Sequence, residues 1–196
     1  MAEMNGFSRL SVNLLNGRRN KRAYAWLAPR LSLPASAACL EIGCGNGDMA
    51  RRIVDGLHPA RYVATDLDAR QLEAARLHLA GAYADGMPPA LELRAADMLA
   101  LPFPDASFDA VFAFVSLHHA DAHHGEFVNG PRALAEVDRV LRPGGRLAYT
   151  EIVNRDRVRA WLREHGYAIT AEDRGWTRET VVAEKALASP RASPVR

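Results

Sequence analysis

An acidic residue followed by closely spaced glycines is the strongest chemical signal in this chain. Glu41 lies near the end of an apolar run, and Gly43, Gly45 and Gly47 follow at every second position, directly before a helix-like segment at residues 49–54. A strand, a tight glycine loop and a helix start allow the backbone to approach a nucleotide-like ligand closely.

The spacing of these glycines also indicates which kind of ligand fits. A dinucleotide fingerprint has glycine at its first, third and sixth positions, but the sixth position here is Asp48. A carboxylate at a helix start is a poor neighbour for an anionic pyrophosphate. The loop therefore favours a ligand that lacks phosphates and carries an adenosine and a positive centre.

Histidines form the second candidate group. His118 and His119 follow the predicted fourth strand, where an imidazole can take a proton from an acceptor such as an alcohol. A purely structural role for this pair is the alternative. His123 and His124 add further metal-ligand types, but the segment has the character of a surface loop, and we predict no metal site.

Alternating strands and helices must position these residues. Residues 1–33 are predicted to be helical, with a break at Asn16–Gly17 and an end at Pro34. Strands are predicted at residues 39–42, 61–65, 91–94, 108–115, 146–153, 167–172 and 180–184. The last two are too close for a crossover helix, so we expect a hairpin that places one antiparallel strand at the sheet edge. The predicted fold class is α/β, a doubly wound sheet of seven mostly parallel strands with helices on both faces.

Three regions are predicted along the chain. A helical cap covers residues 1–33, the main domain covers 37–186, and a Pro/Ser/Arg-rich tail at 187–196 is expected to be disordered. Within the main domain, Asp68 is predicted to cap a helix. The Pro143–Gly144–Gly145 turn is predicted to stop a helix at residues 127–141 and to start the next strand.

Composition narrows the function classes. The chain is 48% hydrophobic and 24% charged with a formal net charge of +2, so no global field recruits nucleic acid or a membrane. No apolar run is long enough to span a membrane, and the N-terminus lacks the apolar region of a signal peptide. The two cysteines, Cys39 and Cys44, suit neither a disulfide nor zinc. These features predict a cytoplasmic protein, and heavy Ala and Arg usage hints at a high-GC bacterial genome.

Six short sequence motifs occur in order within roughly residues 37–186. They are the segments at residues 40–47, 64–68, 96–105, 107–111, 117–119 and 140–147. Together they resemble the class I S-adenosylmethionine-dependent methyltransferases, specifically the small "type 11" group related to ubiquinone and menaquinone methyltransferases. The resemblance implies a Rossmann-like fold, S-adenosylmethionine as cofactor, S-adenosylhomocysteine as product, and an enzyme of the EC 2.1.1 class.

The resemblance assigns roles to the first half of the site. It implies that Gly43, Cys44 and Gly45 pass under the methionine part of the cofactor and that Glu41 orients its ammonium end. Asp66 is implied to accept hydrogen bonds from both ribose hydroxyls, which suits a carboxylate with two oxygens.

The resemblance also assigns residues from the next three strand ends. Leu67 is counted among the cofactor-binding residues. Asp97 is implied to meet the adenine amino group, with the Met98 backbone beside the ring. Phe114 and Val115 are implied to pack beside the methionine chain and the methyl group.

Simpler roles compete with several of these assignments. Asp66 is alternatively a turn residue, Asp97 a loop cap and Glu41 a structural residue. Cys44 is expected to fill the loop rather than act as a nucleophile. Asp109, at a strand start, is expected to be architectural.

Methyl transfer from a sulfonium is an in-line displacement that depends on proximity, so it requires no nucleophilic residue. A base is needed only for an acceptor that holds its proton, and the candidates for it are His118 and His119. The link after the fifth strand, residues 152–156, is short. An acceptor site would therefore be built from residues 1–33, 117–127 and the final hairpin, and would be open or completed by a partner chain. The basic run at residues 18–22 is either a solvated helix face or a guide for an anionic acceptor or membrane surface.

We predict methyl transfer to a small-molecule acceptor, with no nucleic-acid partner and no stable membrane insertion. A monomer and a homodimer are both compatible with the sequence. The leading alternative is a non-catalytic subunit that binds S-adenosylmethionine or S-adenosylhomocysteine. A nicotinamide-dependent oxidoreductase is a third reading, and it predicts binding of NAD(H) instead.

Overall fold

A seven-stranded sheet forms the centre of the molecule. The computed structural model describes residues 6–187 except 122 and 124, so the predicted tail at 187–196 lies outside the described residues apart from Leu187. The strands are β1 (Ala38–Ile42), β2 (Arg61–Asp66), β3 (Leu91–Ala95), β4 (Phe108–Phe114), β5 (Leu141–Glu151), β6 (Tyr167–Arg174) and β7 (Glu179–Lys185). Their order in the sheet is β3-β2-β1-β4-β5-β7-β6. The predicted fold class is confirmed.

The pairing of the strands follows the doubly wound pattern. β1 pairs in parallel with β2 and β4, β2 with β3, and β4 with β5. β7 pairs antiparallel with both β5 and β6. The hairpin is confirmed, but its antiparallel strand is not the outermost one: β7 lies inside and β6 forms the edge.

Five α-helices accompany the sheet in the described part of the chain. They are α1 (Gly6–Leu27), α2 (Asp48–Leu57), α3 (Ala69–Ala82), α4 (Gly130–Val140) and α5 (Arg155–Glu164). Short 3₁₀ turns follow α1 at Ala28–Arg30 and follow β4 at Leu117–Ala120. None of the described helices is long and apolar enough to cross a membrane.

The predicted break at Asn16–Gly17 is wrong, because α1 continues through it. Glycine inside a helix costs only about 1 kcal/mol relative to alanine, and burial of Ala23 and Leu27 offsets that cost. α1 packs closely on α2, where a Cβ added to Gly56 would lie 1.7 Å from Tyr24 Oη.

The core has one apolar layer on each face of the sheet. On one face Leu134 of α4 and Leu162 of α5 belong to the cluster that contains Leu147 and Val181. On the other face Leu27, Ile53 and Leu72 belong to the cluster that contains Tyr62 and Phe112. These two layers explain why the central strands are nearly continuously apolar, as in other sheets covered on both faces.

Two boundaries near α4 differ from the prediction. α4 begins at Gly130 rather than at residue 127. β5 begins directly at Leu141, and the turn at residues 142–145 lies inside it as an irregularity, because Leu141 pairs with Phe108 while Arg146 pairs with Ala110. Gly144 takes a positive φ of 75° there, which glycine adopts without steric cost.

All the loops that carry candidate residues lie at one edge of the sheet. Parallel strands bring their carboxyl ends to the same side, and ligands of open α/β sheets bind there. We call this side the carboxyl edge. It holds the glycine loop at 43–47, residues 67–68, residues 96–99, the β4–α4 loop at 115–129, the β5–α5 link at 152–154 and the hairpin tip at 175–178.

Candidate active site

The glycine loop is bound to the end of the neighbouring strand β2. Gly43, Gly45 and Gly47 have φ values of +68°, +54° and +75°, in the left-handed region that favours glycine. The Cys44 amide donates to the Thr65 carbonyl at 2.8 Å. The loop is therefore held in one conformation at the carboxyl edge, where Gly43, Gly45 and Asn46 are partly exposed.

Gly43 also lies against the residue after β4. A Cβ built on Gly43 would lie 2.5 Å from Ser116 Cβ, so a side chain at position 43 requires a shift of the neighbouring segment. The Ser116 hydroxyl donates to the Ile42 carbonyl at 2.8 Å. Ser116 is a site residue that the sequence analysis did not single out, and it connects the glycine loop with the segment that carries the histidines.

The Asp66 carboxylate bridges two parts of the loop region. Oδ2 accepts from the Gly45 amide at 2.9 Å, and Oδ1 accepts from the Asp68 amide at 3.0 Å. A carboxylate offers about four lone-pair sites, so each oxygen retains capacity for one more donor. Asp68 caps α3 as predicted, accepting from the Arg70 amide. Leu67 is 71% exposed and presents an apolar side chain beside this carboxylate.

Glu41 lies beneath the loop instead of on its surface. It is 1% exposed, and its Oε2 accepts from the Tyr62 hydroxyl at 2.9 Å. Burial raises the pKa of Glu41 to about 8, with smaller contributions from Asp48 and Asp66 that act in the same direction. The structure thus places Glu41 in a buried hydrogen bond, and its contact with a cofactor ammonium stays a prediction.

Asp48 has local partners of its own. Its carboxylate accepts from Arg52 Nε at 3.0 Å and from Asn20 Nδ2 at 3.1 Å. The acidic residue that argued against a pyrophosphate therefore anchors α1 to the start of α2. Cys44, four residues before Asp48, is a buried free thiol, and burial raises its pKa, as expected for a residue that fills space.

Asp97 and Met98 lie next to the Asp66 end of the sheet. The Ala96 amide donates to the Asp66 carbonyl at 3.1 Å. Asp97 Oδ1 accepts from the Leu99 amide at 2.8 Å, so one oxygen holds the loop, as the loop-cap alternative predicted. Met98 is partly buried against the core. The adenine roles of both residues stay predictions.

Phe114 and Val115 lie where the chain leaves β4. Phe114 is stacked on Phe112 with ring centroids 6.0 Å apart. Val115 follows the strand end and has a φ of +56°, an unusual value for a β-branched residue. Its amide donates to the Thr150 carbonyl at 2.7 Å, which fixes the direction in which the next residues leave the sheet.

His118 is paired with an acid that the sequence analysis missed. Its Nδ1 lies 2.7 Å from Glu151 Oε1, and its amide donates to Glu151 Oε2 at 3.2 Å. Both side chains are buried, whereas His119 is exposed and lies with its ring centroid 4.1 Å from that of His118. Glu151 is the last residue of β5. An acidic residue at the carboxyl end of a predicted parallel strand is the sequence feature that could have identified it as a site residue.

A second buried acid lies directly across the sheet. Glu179 pairs with Glu151 between β7 and β5, so the two side chains share one face. Glu179 Oε1 accepts from the Tyr149 hydroxyl at 3.1 Å, and Arg159 Nη1 lies 3.7 Å from Glu179 Oε2. Burial raises the pKa of Glu179, and Arg159 opposes that effect.

The predicted residues lie along the carboxyl edge of the sheet. Strand pairing and the loop hydrogen bonds described above connect the segments that carry them. In the described part of the chain, no group of three or more His, Cys, Asp or Glu side chains is arranged to hold a metal ion. His124 of the four-histidine pattern lies outside the described residues.

Comparison with known proteins adds independent information. The sequence profile of a family described as a methyltransferase domain matches residues 40–149. The chain is 38% identical over 123 residues to 27-O-demethylrifamycin SV methyltransferase of Amycolatopsis mediterranei, covering 62% of this chain and 41% of that protein. It is 36% identical over 122 residues to phthiotriol/phenolphthiotriol dimycocerosates methyltransferase of Mycobacterium leprae, covering 62% and 40%. The chain thus spans about two fifths of these relatives.

A solved structure shares the fold. The crystal structure of the cyclase SpnF superposes with a TM-score of 0.69 at 21% identity, covering 85% of this chain and 82% of that one. At this identity the likeness concerns the fold alone. The family match covers more than half of the chain and includes the glycine loop, Asp66, Asp97 and the histidine pair. The chain belongs to the methyltransferase-domain family of class I, S-adenosylmethionine-dependent methyltransferases.

Proposed function

We propose that this protein binds S-adenosylmethionine at the carboxyl edge and transfers its methyl group to a small-molecule acceptor. The observation that carries the proposal is the hydrogen bond between the Gly45 amide and the Asp66 carboxylate. It holds the glycine loop beside a carboxylate whose two oxygens suit the vicinal hydroxyls of a ribose, and this supports an adenosine ligand.

The residues present fit this cofactor. Gly43, Cys44 and Gly45 would hold the methionine part, and Asp66 would hold the ribose hydroxyls with its remaining lone pairs. The exposed Leu67 side chain would cover one side of the adenine, and Asp97 would receive the adenine amino group. When bound, the cofactor supplies an electrophilic methyl group on a sulfonium, and the protein supplies orientation.

The His118–Glu151 pair supports a hydroxyl acceptor. A carboxylate at Nδ1 favours the imidazole tautomer with its proton on that nitrogen, so that Nε2 is the basic nitrogen. A base is needed only when the acceptor holds its proton near neutral pH, as an alcohol does. The names of the two relatives describe small-molecule methylation, and we extend that acceptor class to this chain.

Calorimetric titration of the purified protein is the first test. S-adenosylmethionine and S-adenosylhomocysteine should bind with micromolar affinity, and NADH should not bind. Binding of NADH alone would favour the oxidoreductase reading. Failure of a folded sample to bind either adenosyl ligand would refute the proposal.

A non-catalytic subunit remains the second candidate. The observation that favours it is the link of three residues between β5 and α5, at positions 152–154, which offers little cover for an acceptor. This candidate predicts cofactor binding without turnover on any hydroxylated acceptor. Turnover with one acceptor, measured as release of S-adenosylhomocysteine, would eliminate it.

A further inference from the structure

Three acidic side chains lie close to the glycine loop, and they differ in how their charge is compensated. Asp48 pairs with Arg52, with Oδ2 and Nε 3.0 Å apart. Asp66 accepts from two backbone amides. In the part of the chain that the structure describes, the Glu41 side chain has a single hydrogen bond, from the Tyr62 hydroxyl at 2.9 Å. Glu41 is therefore the acid of this cluster whose negative charge would lack compensation.

Glu41 is also enclosed by uncharged groups. It lies in β1 between Ala64 of β2 and Phe112 of β4, and it is 1% exposed. A carboxylate buried without a cation is costly, and such a group takes up a proton instead. The geometry thus favours a neutral Glu41 carboxyl in the protein without cofactor, and its pKa, which burial raises to about 8, agrees with this conclusion.

The uncharged titratable groups around Glu41 keep their protons near pH 7. Burial raises the pKa of the Cys39 thiol to about 12, and it also raises the pKa values of the Cys44 thiol and the Tyr62 phenol. β4 contributes the apolar Phe112 at this position. A proton released from this cluster near neutral pH therefore comes from a carboxyl group.

The charged neighbours of Glu41 oppose its ionisation. Asp48 on α2 and Asp66 on β2 place negative charge near its carboxyl. Arg52 on α2 donates to both oxygens of Asp48, and α1 adds the uncharged Asn20 amide to the same carboxylate. No cation is paired with Glu41 among the residues that the structure describes, so a cation that pairs with it has to come from a ligand.

We propose that Glu41 gives up its proton when the cofactor binds, and that the resulting carboxylate pairs with the ammonium group of the cofactor's methionine part. The proposal rests on the proposed function, in which the glycine loop directly after Glu41 holds that part of the cofactor. The O–H bond of the Glu41 carboxyl breaks, the proton passes to the buffer, and no other covalent bond changes. Cofactor affinity should rise with pH up to about 8, because less of the protein then holds the proton that binding removes.

Calorimetry in buffers of different ionisation enthalpy counts the released protons. The full chain would be titrated with S-adenosylhomocysteine at pH 6.5 in phosphate, PIPES and imidazole. The amino group of the ligand is almost fully protonated at this pH, so the ligand itself neither gains nor loses a proton beforehand. We expect release of nearly one proton per bound ligand and a roughly ten-fold gain in affinity per pH unit between about pH 5.5 and 7.

A ligand without the ammonium group is the matched control. 5′-Methylthioadenosine keeps the adenosine and the thioether of S-adenosylhomocysteine but lacks its amino acid end. It should bind without proton release and with an affinity that does not change over this pH range. Equal proton release with both ligands, or none with S-adenosylhomocysteine, would overturn the proposal and leave the proposed cofactor intact. Failure of S-adenosylhomocysteine to bind would instead refute the proposed function.

Variants assign the proton to one residue. Glu41→Gln keeps an acceptor for the Tyr62 hydroxyl but holds no titratable proton, so proton release and the pH dependence of affinity should both disappear. Glu179→Gln removes another buried carboxyl whose pKa burial raises, and it should release the proton as the native protein does. Proton release that survives in the Glu41→Gln variant would refute the assignment. If that variant does not fold, the comparison of the two ligands on the native protein decides the proposal.

Discussion

At the scale of single residues, Asp66 has the most connected position in the candidate site. Its two oxygens join the glycine loop to the turn before α3. The same carboxylate that is proposed to bind the ribose therefore also shapes the loop beneath the methionine part of the cofactor.

Replacement of Asp66 by Ala should weaken binding of S-adenosylhomocysteine by about 1–3 kcal/mol, because the buried polar partners of the carboxylate are left unpaired. Calorimetry measures this change directly. Asp68→Ala is the matched control, since it removes a helix cap worth about 1 kcal/mol of stability but should leave affinity intact. Equal affinity of the Asp66→Ala and native proteins would show that the ribose assignment is wrong.

Glu151 is proposed as a positioning residue that acts through His118. Glu151→Gln should lower kcat about ten- to a hundred-fold on a hydroxyl acceptor, while cofactor affinity stays the same. The acidic limb of the kcat–pH profile should move as well, which a merely structural role would not produce. Glu179→Gln changes a buried acid directly across the sheet and should leave that limb in place. An unaltered profile in the Glu151→Gln variant would remove the dyad from the mechanism.

The buried Glu41 carboxyl predicts a pH dependence of stability. Its pKa is raised from 4.5 to about 8 in the folded protein, so the folded state binds the proton more tightly than the unfolded state does. The stabilisation is complete below about pH 4.5 and is lost as pH rises through 8, by less than about 5 kcal/mol in total.

Urea unfolding between pH 5 and pH 8.5 measures this contribution. The free energy of unfolding of the Glu41→Gln variant should fall less steeply with pH than that of the native protein. Parallel curves for the two proteins would mean that Glu41 is ionised in the fold.

At the scale of elements, the contact of α1 with α2 depends on a missing side chain. Gly56 admits the Tyr24 ring where a Cβ would collide with it, whereas a Cβ at Gly17 would meet nothing within 4 Å. A side chain is therefore sterically allowed at Gly17 and excluded at Gly56. Replacing each glycine by alanine separates the effect of helix propensity from the effect of packing.

Gly17→Ala should stabilise the protein by up to about 1 kcal/mol, because alanine favours the helix. Gly56→Ala should destabilise it by about 1–2 kcal/mol, because the displacement of Tyr24 outweighs the same gain in propensity. In a Tyr24→Ala background the effect of Gly56→Ala should reverse its sign, as a double-mutant cycle of unfolding free energies would reveal. Additive effects would indicate that α1 does not pack there in solution.

At the scale of the whole molecule, the candidate site is assembled from loops that follow four different strands. Ligand binding should therefore stabilise the entire domain. S-adenosylhomocysteine at a hundred times its dissociation constant adds about 2.7 kcal/mol, which corresponds to a rise in Tm of about 5–11 °C for a chain of this size. Calorimetric melting with NADH as the control ligand measures it. A rise with NADH alone would contradict the proposed cofactor.

The sequence by itself determined the class of the fold and the position of most candidate residues. Periodicity and turn residues predicted all seven strands near their observed positions, because buried parallel strands are apolar and their ends are marked by glycine, proline and aspartate. The glycine loop was recognisable because its backbone conformation restricts the residue types allowed there, whereas the ribose role of Asp66 came from the family resemblance and stays a prediction. The order of the two hairpin strands in the sheet could not be predicted from the sequence, because the local pairing of two strands does not reveal which of them pairs with β5.

Only the tertiary structure decided how side chains distant in sequence meet. The Asn16–Gly17 break disappeared because α1 gains packing on α2, and Glu151 became a candidate because β5 brings it to His118 across 33 residues of sequence. Local signals depend on backbone conformation and can be read from short segments, whereas burial, charge pairing and exposure depend on which segments the sheet brings together.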